Sequence, residues 1–137
     1  MTPAGRVQAA VELLSQIEAE GMPADAALRA YTRARRYMGS KDRRAVADLV
    51  FATIRKRLEL DWRITRRGGV PSSRLRVLAG LARNDFDAMV CLCDGSLYGP
   101  ASLDKAEQAL LAAVAVDGAE APSNIPEWLV PKMRRRF

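Results

Sequence analysis

The sequence predicts an all-α bundle of six to seven helices, and three observations carry that prediction. Apolar residues recur at three- and four-residue intervals along most of the 137 residues. Capping and breaking residues punctuate the pattern at helix lengths: Thr2 with Pro3, Gly21, Gly39 with Ser40, and Gly68 through Pro71. No run of four or more residues alternates strongly enough to require a strand, and no internal repeat is visible.

Thr2 caps the first helix with Pro3 at its first position, and Val7, Ala10, Val11, Leu14 and Ile17 form one stripe before Gly21 stops it. A second helix starts at Pro23 with the stripe Ala27, Leu28, Tyr31, Ala34 and Met38, and Gly39 is placed to close it in the left-handed conformation. Ser40 then caps a third helix. In it Val46, Val50, Ile54, Leu58 and Trp62 fall near four-residue spacing, with Ala47 and Phe51 beside them. The opposite side, Asp48, Arg55, Glu59, Arg63 and Arg66, reads as a solvated, salt-bridged face. After Gly68, Gly69 and Pro71, Ser72 or Ser73 caps a helix to about Ala82 with Leu75, Leu78 and Leu81 inward. Asn84 or Asp85 opens a short helix with Phe86, Met89, Val90 and Cys93, ended by Asp94 and Gly95. Ser102 caps another, with Leu103, Ala106, Leu110 and Val114 on one side. Residues 117–126, DGAEAPSNIP, have the composition of a linker and end a bundle of residues 1–116. Pro126 opens a last amphipathic piece with Trp128, Leu129 and Met133. Phe137 directly follows Arg134, Arg135 and Arg136, which suggests a chain cut from something longer; a native basic terminus is the alternative.

Composition narrows the partners. Apolar residues at 49% and charged residues at 28% are globular values, and the length suits one domain. The net charge of +6 is uneven: residues 1–70 hold 14 basic and 8 acidic groups, whereas residues 71–137 hold 8 of each. A field concentrated in one half favours a polyanion, and nucleic acid leads membrane because no segment pairs a basic face with a strongly apolar exposed one. No opening stretch has the form of a secretory leader, and no apolar run reaches the length of about 18 residues that a membrane span needs. A cytoplasmic protein is expected. Cys91 and Cys93, in a chain without histidine, cannot complete a typical zinc site and read as buried reduced thiols, so no metal is expected.

Catalytic motifs are missing from the sequence. There is no histidine for acid-base work, no G-x-G phosphate loop, no G-x-x-x-x-G-K and no G-x-S-x-G elbow. Asp85 and Asp87 read as a cap and a surface charge. What remains is the turn between the second and third helices, where Arg33, Arg35, Arg36, Lys41, Arg43 and Arg44 crowd together with only Asp42 to offset them. These six are the candidate nucleic-acid-binding residues, able to converge on phosphates with help from amides near Ser40. The alternative is that Arg35, Arg36 and Arg43 cap carbonyls and pair with acids such as Asp48. Aromatic interleaving is not apparent, so single-strand base stacking is not expected.

Residues 39–62, GSKDRRAVADLVFATIRKRLELDW, resemble a segment near the start of bacterial ribosomal RNA cytosine-5 methyltransferases of the Sun/Fmu type, where a KDR-like triplet precedes an LV-x-x-x-(I/L)-R helix ending in LDW. PAGRVQAAVELL near the start, DGSLYGPASLDKAEQALLAAV, and the closing NIPEWLVPKMRRRF resemble further parts of the same region, so the resemblance spans essentially the whole chain. It implies a NusB-like helical fold that engages ribosomal RNA, followed by a methyltransferase domain that binds S-adenosylmethionine and uses a cysteine on cytosine C6. Neither Cys91 nor Cys93 follows a proline, as the family's catalytic cysteine does, and no glycine-rich cofactor loop is present. The resemblance therefore implies no cofactor and no catalytic residue within these residues. NusB-like RNA readers often carry an arginine-rich start, whereas the first helix here offers only Arg6. The implied function is an accessory domain positioning ribosomal RNA. The alternative is a protein-interaction module that braces the catalytic domain or acts in transcription antitermination.

Overall fold

Thr2 and Gly21 delimit α1 (Pro3–Glu20) as their chemistry requires. The Thr2 hydroxyl accepts from the Gly5 amide at 3.0 Å, and Gly21, at φ 66°, donates back to the Ile17 carbonyl. A computed structural model describes residues 1–120, and the predicted piece around Trp128, Leu129 and Met133 lies outside them. Among the described residues there are seven helices and no strand: α1, α2 (Ala24–Ala34), α3 (Ser40–Arg55), α4 (Arg57–Arg66), α5 (Ser73–Asn84), α6 (Phe86–Leu92) and α7 (Lys105–Ala115). The all-α prediction stands, and no described helix is long and apolar enough to cross a membrane.

α1 is the central element because it buries two faces. Val7 and Leu14 join α4 through α7 in one core with Leu60, Ile64, Leu78, Met89 and Leu111. Ala9, Ala10 and Leu13 join α2 and α3 in a second core with Tyr31, Met38, Val46 and Val50. The two small alanines allow α1 and its neighbours to pack closely. Leu49 touches both clusters and joins them.

The predicted third helix is two. Lys56, at φ −102° and ψ 11°, separates α3 from α4, although its amide still reaches the Ala52 carbonyl. Residues spaced by four drift around an α-helix by about 40° per step, so Val46, Val50, Ile54, Leu58 and Trp62 could not all share one face. The buried set is instead Val46, Val50, Thr53, Leu60 and Ile64, while Ile54 and Leu58 are 37% and 47% exposed. The opposite face is not simply solvated, since Arg63 is only 4% exposed.

Three boundaries also moved. α2 ends at Ala34, because Arg35 turns back onto Tyr31 and Met38 is drawn into the core. Gly39, at φ −78° and ψ 175°, is then the extended N-cap of α3 and not a left-handed terminator, and Ser40 is already helical. α7 is capped by Asp104, not Ser102, because Asp104 and Glu107 bond reciprocally to each other's backbone amides. Asp85 caps α6 as expected. Of the two thiols only Cys93 is buried; Cys91 is exposed, which corrects the pairing of both as core residues.

Two buried arginines fix the helices. Arg76 of α5 reaches Glu18 of α1 and Asp61 of α4, both at 2.7 Å, and Ser73 donates to the second Glu18 oxygen at 2.8 Å. Burial opposes the charge on Arg76, but the two carboxylates more than offset it and hold its pKa above the ordinary value. Arg63 donates to the carbonyls of Asp117 and Ala119, and Arg83 to those of Val114 and Asp117, so cations close the carboxyl end of α7. Asp117 is buried beneath Arg63, Arg66 and Arg67, so the expected linker begins with a residue held in the bundle. Gly69 lets the α4–α5 connection pass: a Cβ there would stand 2.6 Å from Leu110 and 2.8 Å from Ile64.

Replacing Arg76 by Ala strands two carboxylates and lowers the unfolding free energy by about 3 kcal/mol in urea denaturation. The buried face of α4 is checked the same way: Leu60→Ala costs about 3 kcal/mol, whereas Leu58→Ala costs less than about 1 kcal/mol. Equal losses at the two positions would mean that Leu58 also packs into the core.

Candidate nucleic-acid interface

The α2–α3 connection is built from the inside out. Tyr31 is buried against α1, where its hydroxyl donates to Glu12 at 2.7 Å; burial first, and then this hydrogen bond, raise the phenol's pKa. The Arg35 guanidinium lies over the Tyr31 ring, 3.6 Å from its centre, and donates to the Tyr31 carbonyl at 3.3 Å. Three residues on, Met38 is 1% exposed in the α1–α3 core. Its amide donates to the Arg35 carbonyl at 3.1 Å and closes a tight turn.

The six predicted residues divide accordingly. Arg35 is committed to Tyr31, and Arg43 donates through Nε to the Met38 carbonyl at 3.3 Å, so these two brace the turn. Arg33 on the last turn of α2, Arg36 in the turn, and Lys41 and Arg44 among the first five residues of α3 are exposed. None of these four makes an ion pair or side-chain hydrogen bond with another described residue. The expectation of carbonyl capping thus holds for Arg35 and Arg43 and not for Arg36.

Asp42, the one acid within the cluster, is turned away from it. Its carboxylate is buried and accepts from Arg6 Nε of α1 at 2.9 Å and from the Gly39 amide at 3.3 Å, with the Met1 amino group 3.8 Å away. The Arg6 hydrogen bond is the largest influence holding its pKa below the usual carboxylate range. Asp42 also stands where the α3 terminus would otherwise attract an anion, so the amides near Ser40 are not open to one. The sequence signal for this was available: Asp42 is the third residue of α3, the position from which an acid reaches back to the cap.

Elsewhere the surface offers little chemistry. A shallow depression of about 470 Å³ runs beside Arg67, Gly68, Gly69 and Leu110, but its two acids, Asp104 and Glu107, are engaged in the α7 cap and, for Glu107, with Arg74. Among the described residues no three His, Cys, Asp or Glu side chains gather where they could hold a metal ion.

Because the folded Asp42 carboxyl binds its proton less tightly than an unfolded one, it adds stability above the ordinary value of about 3.9, and that contribution is lost as pH falls through the lower folded value. Asp42→Asn therefore melts at a lower temperature than the parent at neutral pH. Melting curves of the two proteins converge once the pH falls below the lowered folded value. A gap that persists in acid would mean that the carboxylate's charge is not what matters.

No protein-family model, curated protein or solved structure matches the chain.

Proposed function

We propose that the bundle is a non-catalytic RNA-binding domain that positions ribosomal RNA for an S-adenosylmethionine-dependent cytosine-5 methyltransferase domain of the same protein. The observation that carries this reading is the set of four outward cations, Arg33, Arg36, Lys41 and Arg44, beside an acid whose charge is spent inward on Arg6. Four cations on one connection, with little competing negative charge, suit a phosphate backbone and read no sequence by themselves. The resemblance of residues 39–62 supplies the class of RNA. Positioning needs no chemistry from the domain: holding the strand raises the effective concentration of the target base at a neighbouring site. S-adenosylmethionine belongs to that neighbouring site in this reading.

A second reading, a protein-interaction module, is favoured by Leu97 and Tyr98, which are 86% and 78% exposed on the α6–α7 connection. Salt separates the two, since phosphate contacts weaken steeply with ionic strength and apolar docking does not.

The test is a titration of the whole chain against a labelled small-subunit ribosomal RNA fragment over a range of salt concentrations. The triple variant Arg36→Glu, Lys41→Glu, Arg44→Glu should bind at least about tenfold more weakly, and its plot of log affinity against log salt should be shallower by about 2. Unchanged binding by the triple variant would remove the cluster from the reading. No binding of the parent to the RNA at low salt would favour the protein-interaction module.

A further inference from the structure

The turn that carries the cations also carries an aromatic ring. Arg36 and Tyr37 occupy the two central positions of the turn closed by the Met38 amide on the Arg35 carbonyl. Both neighbours of this pair are fixed, Arg35 by its stack on Tyr31 and Met38 by burial. Tyr37 is left 71% exposed. Its ring makes no cation-π contact among the described residues, although Arg36 adjoins it in sequence and Lys41 lies four residues on. No φ in the turn is positive, so the outward placement costs no backbone strain. A large ring held in water on a short, pinned turn, beside cations that make no ion pair among the described residues, is the arrangement that stacks an unpaired base while the cations take the flanking phosphates.

We propose that Tyr37 is a stacking platform for one unpaired RNA base, with Arg36, Lys41 and Arg44 on the adjoining phosphates, so that the site prefers single-stranded RNA to duplex. This rests on the RNA-binding reading above and adds the form of RNA to it. A duplex offers phosphates to the same cations but keeps its bases stacked on one another, so only a single strand or an unpaired loop can use the ring. Tyrosine also has a low ordering cost, with two side-chain torsions, and the pinned turn has already fixed its backbone.

The experiment measures binding of the whole chain to a short fluorescent single-stranded RNA of mixed sequence and to the same strand annealed to its complement. Tyr37→Ala should weaken single-strand binding about tenfold, change duplex binding by less than about twofold, and leave the salt slope of both unchanged. Tyr37→Phe should retain single-strand affinity, because the ring and not the hydroxyl stacks. Retained single-strand affinity in Tyr37→Ala, or equal losses on strand and duplex, overturns the platform. If the charge-reversal triple variant still loses binding in that event, the RNA reading survives without it. If the parent protein binds neither RNA at low salt, both inferences fall.

Discussion

A guanidinium cannot shed its proton, so burying one obliges the fold to supply its partners. Arg76 imposes that constraint here. Its two carboxylates come from α1 and α4, and Ser73 steadies the α1 one, so three helices separated in sequence are held in a single relative placement. With α1 fixed against α5 along one face and tied to α4 through Arg76, its other face, lined by Ala9, Ala10 and Leu13, is left for α2 and α3. The α2–α3 turn is therefore presented from a settled base. A buried ion triad of this kind sets register more than it adds stability, since well-packed apolar side chains would stabilise as well without choosing one alignment.

The arginines of this chain do two different jobs, and net charge does not distinguish them. Arg63 and Arg76 spend their charge on carboxylates and helix carbonyls inside the fold, and Arg83 spends its own at the end of α7. Arg33, Arg36 and Arg44 keep theirs in water. Arg35 and Arg43 stand between, spent on the turn that holds the others out. The proposed interface thus depends on neighbours of the same residue type, and a count of basic residues in the first half of the chain overstates what is available to a ligand.

Local signals were legible wherever they reside in a few adjacent residues. Thr2, Gly21, Ser72 and Asp85 act as their sequence context indicates. The break at Lys56 was obscured because neither glycine nor proline marks it. The misplaced stripe was legible: even four-residue spacing leaves one face, and a stripe that stays buried must alternate threes and fours, as Val46, Val50 and Thr53, and then Leu60 and Ile64, do. The buried ion pairs were illegible for another reason. Arg76 meets Glu18 across 58 residues and Arg63 meets Asp117 across 54, and helical periodicity assigns any isolated arginine to the surface. For the candidate interface, the six cations could be read off directly. Which of them face outward depends on Tyr31 and Met38, whose anchoring belongs to the tertiary core. Tyr37 was visible in the sequence too, where base stacking was not expected, because only the turn that leaves it in water separates it from an ordinary core tyrosine.

The two thiols give the molecule an internal clock. Cys91 is open to solvent and can meet a thiol reagent in the native state, whereas Cys93, two residues on, is buried beside Met89 and Leu111 with its thiol pKa pushed up by burial. Modification of the first proceeds at the pace of the reagent, and modification of the second waits for the core to open. The lag between two chemically identical groups on one helical segment measures how often the larger core comes apart, with no label introduced and no residue changed.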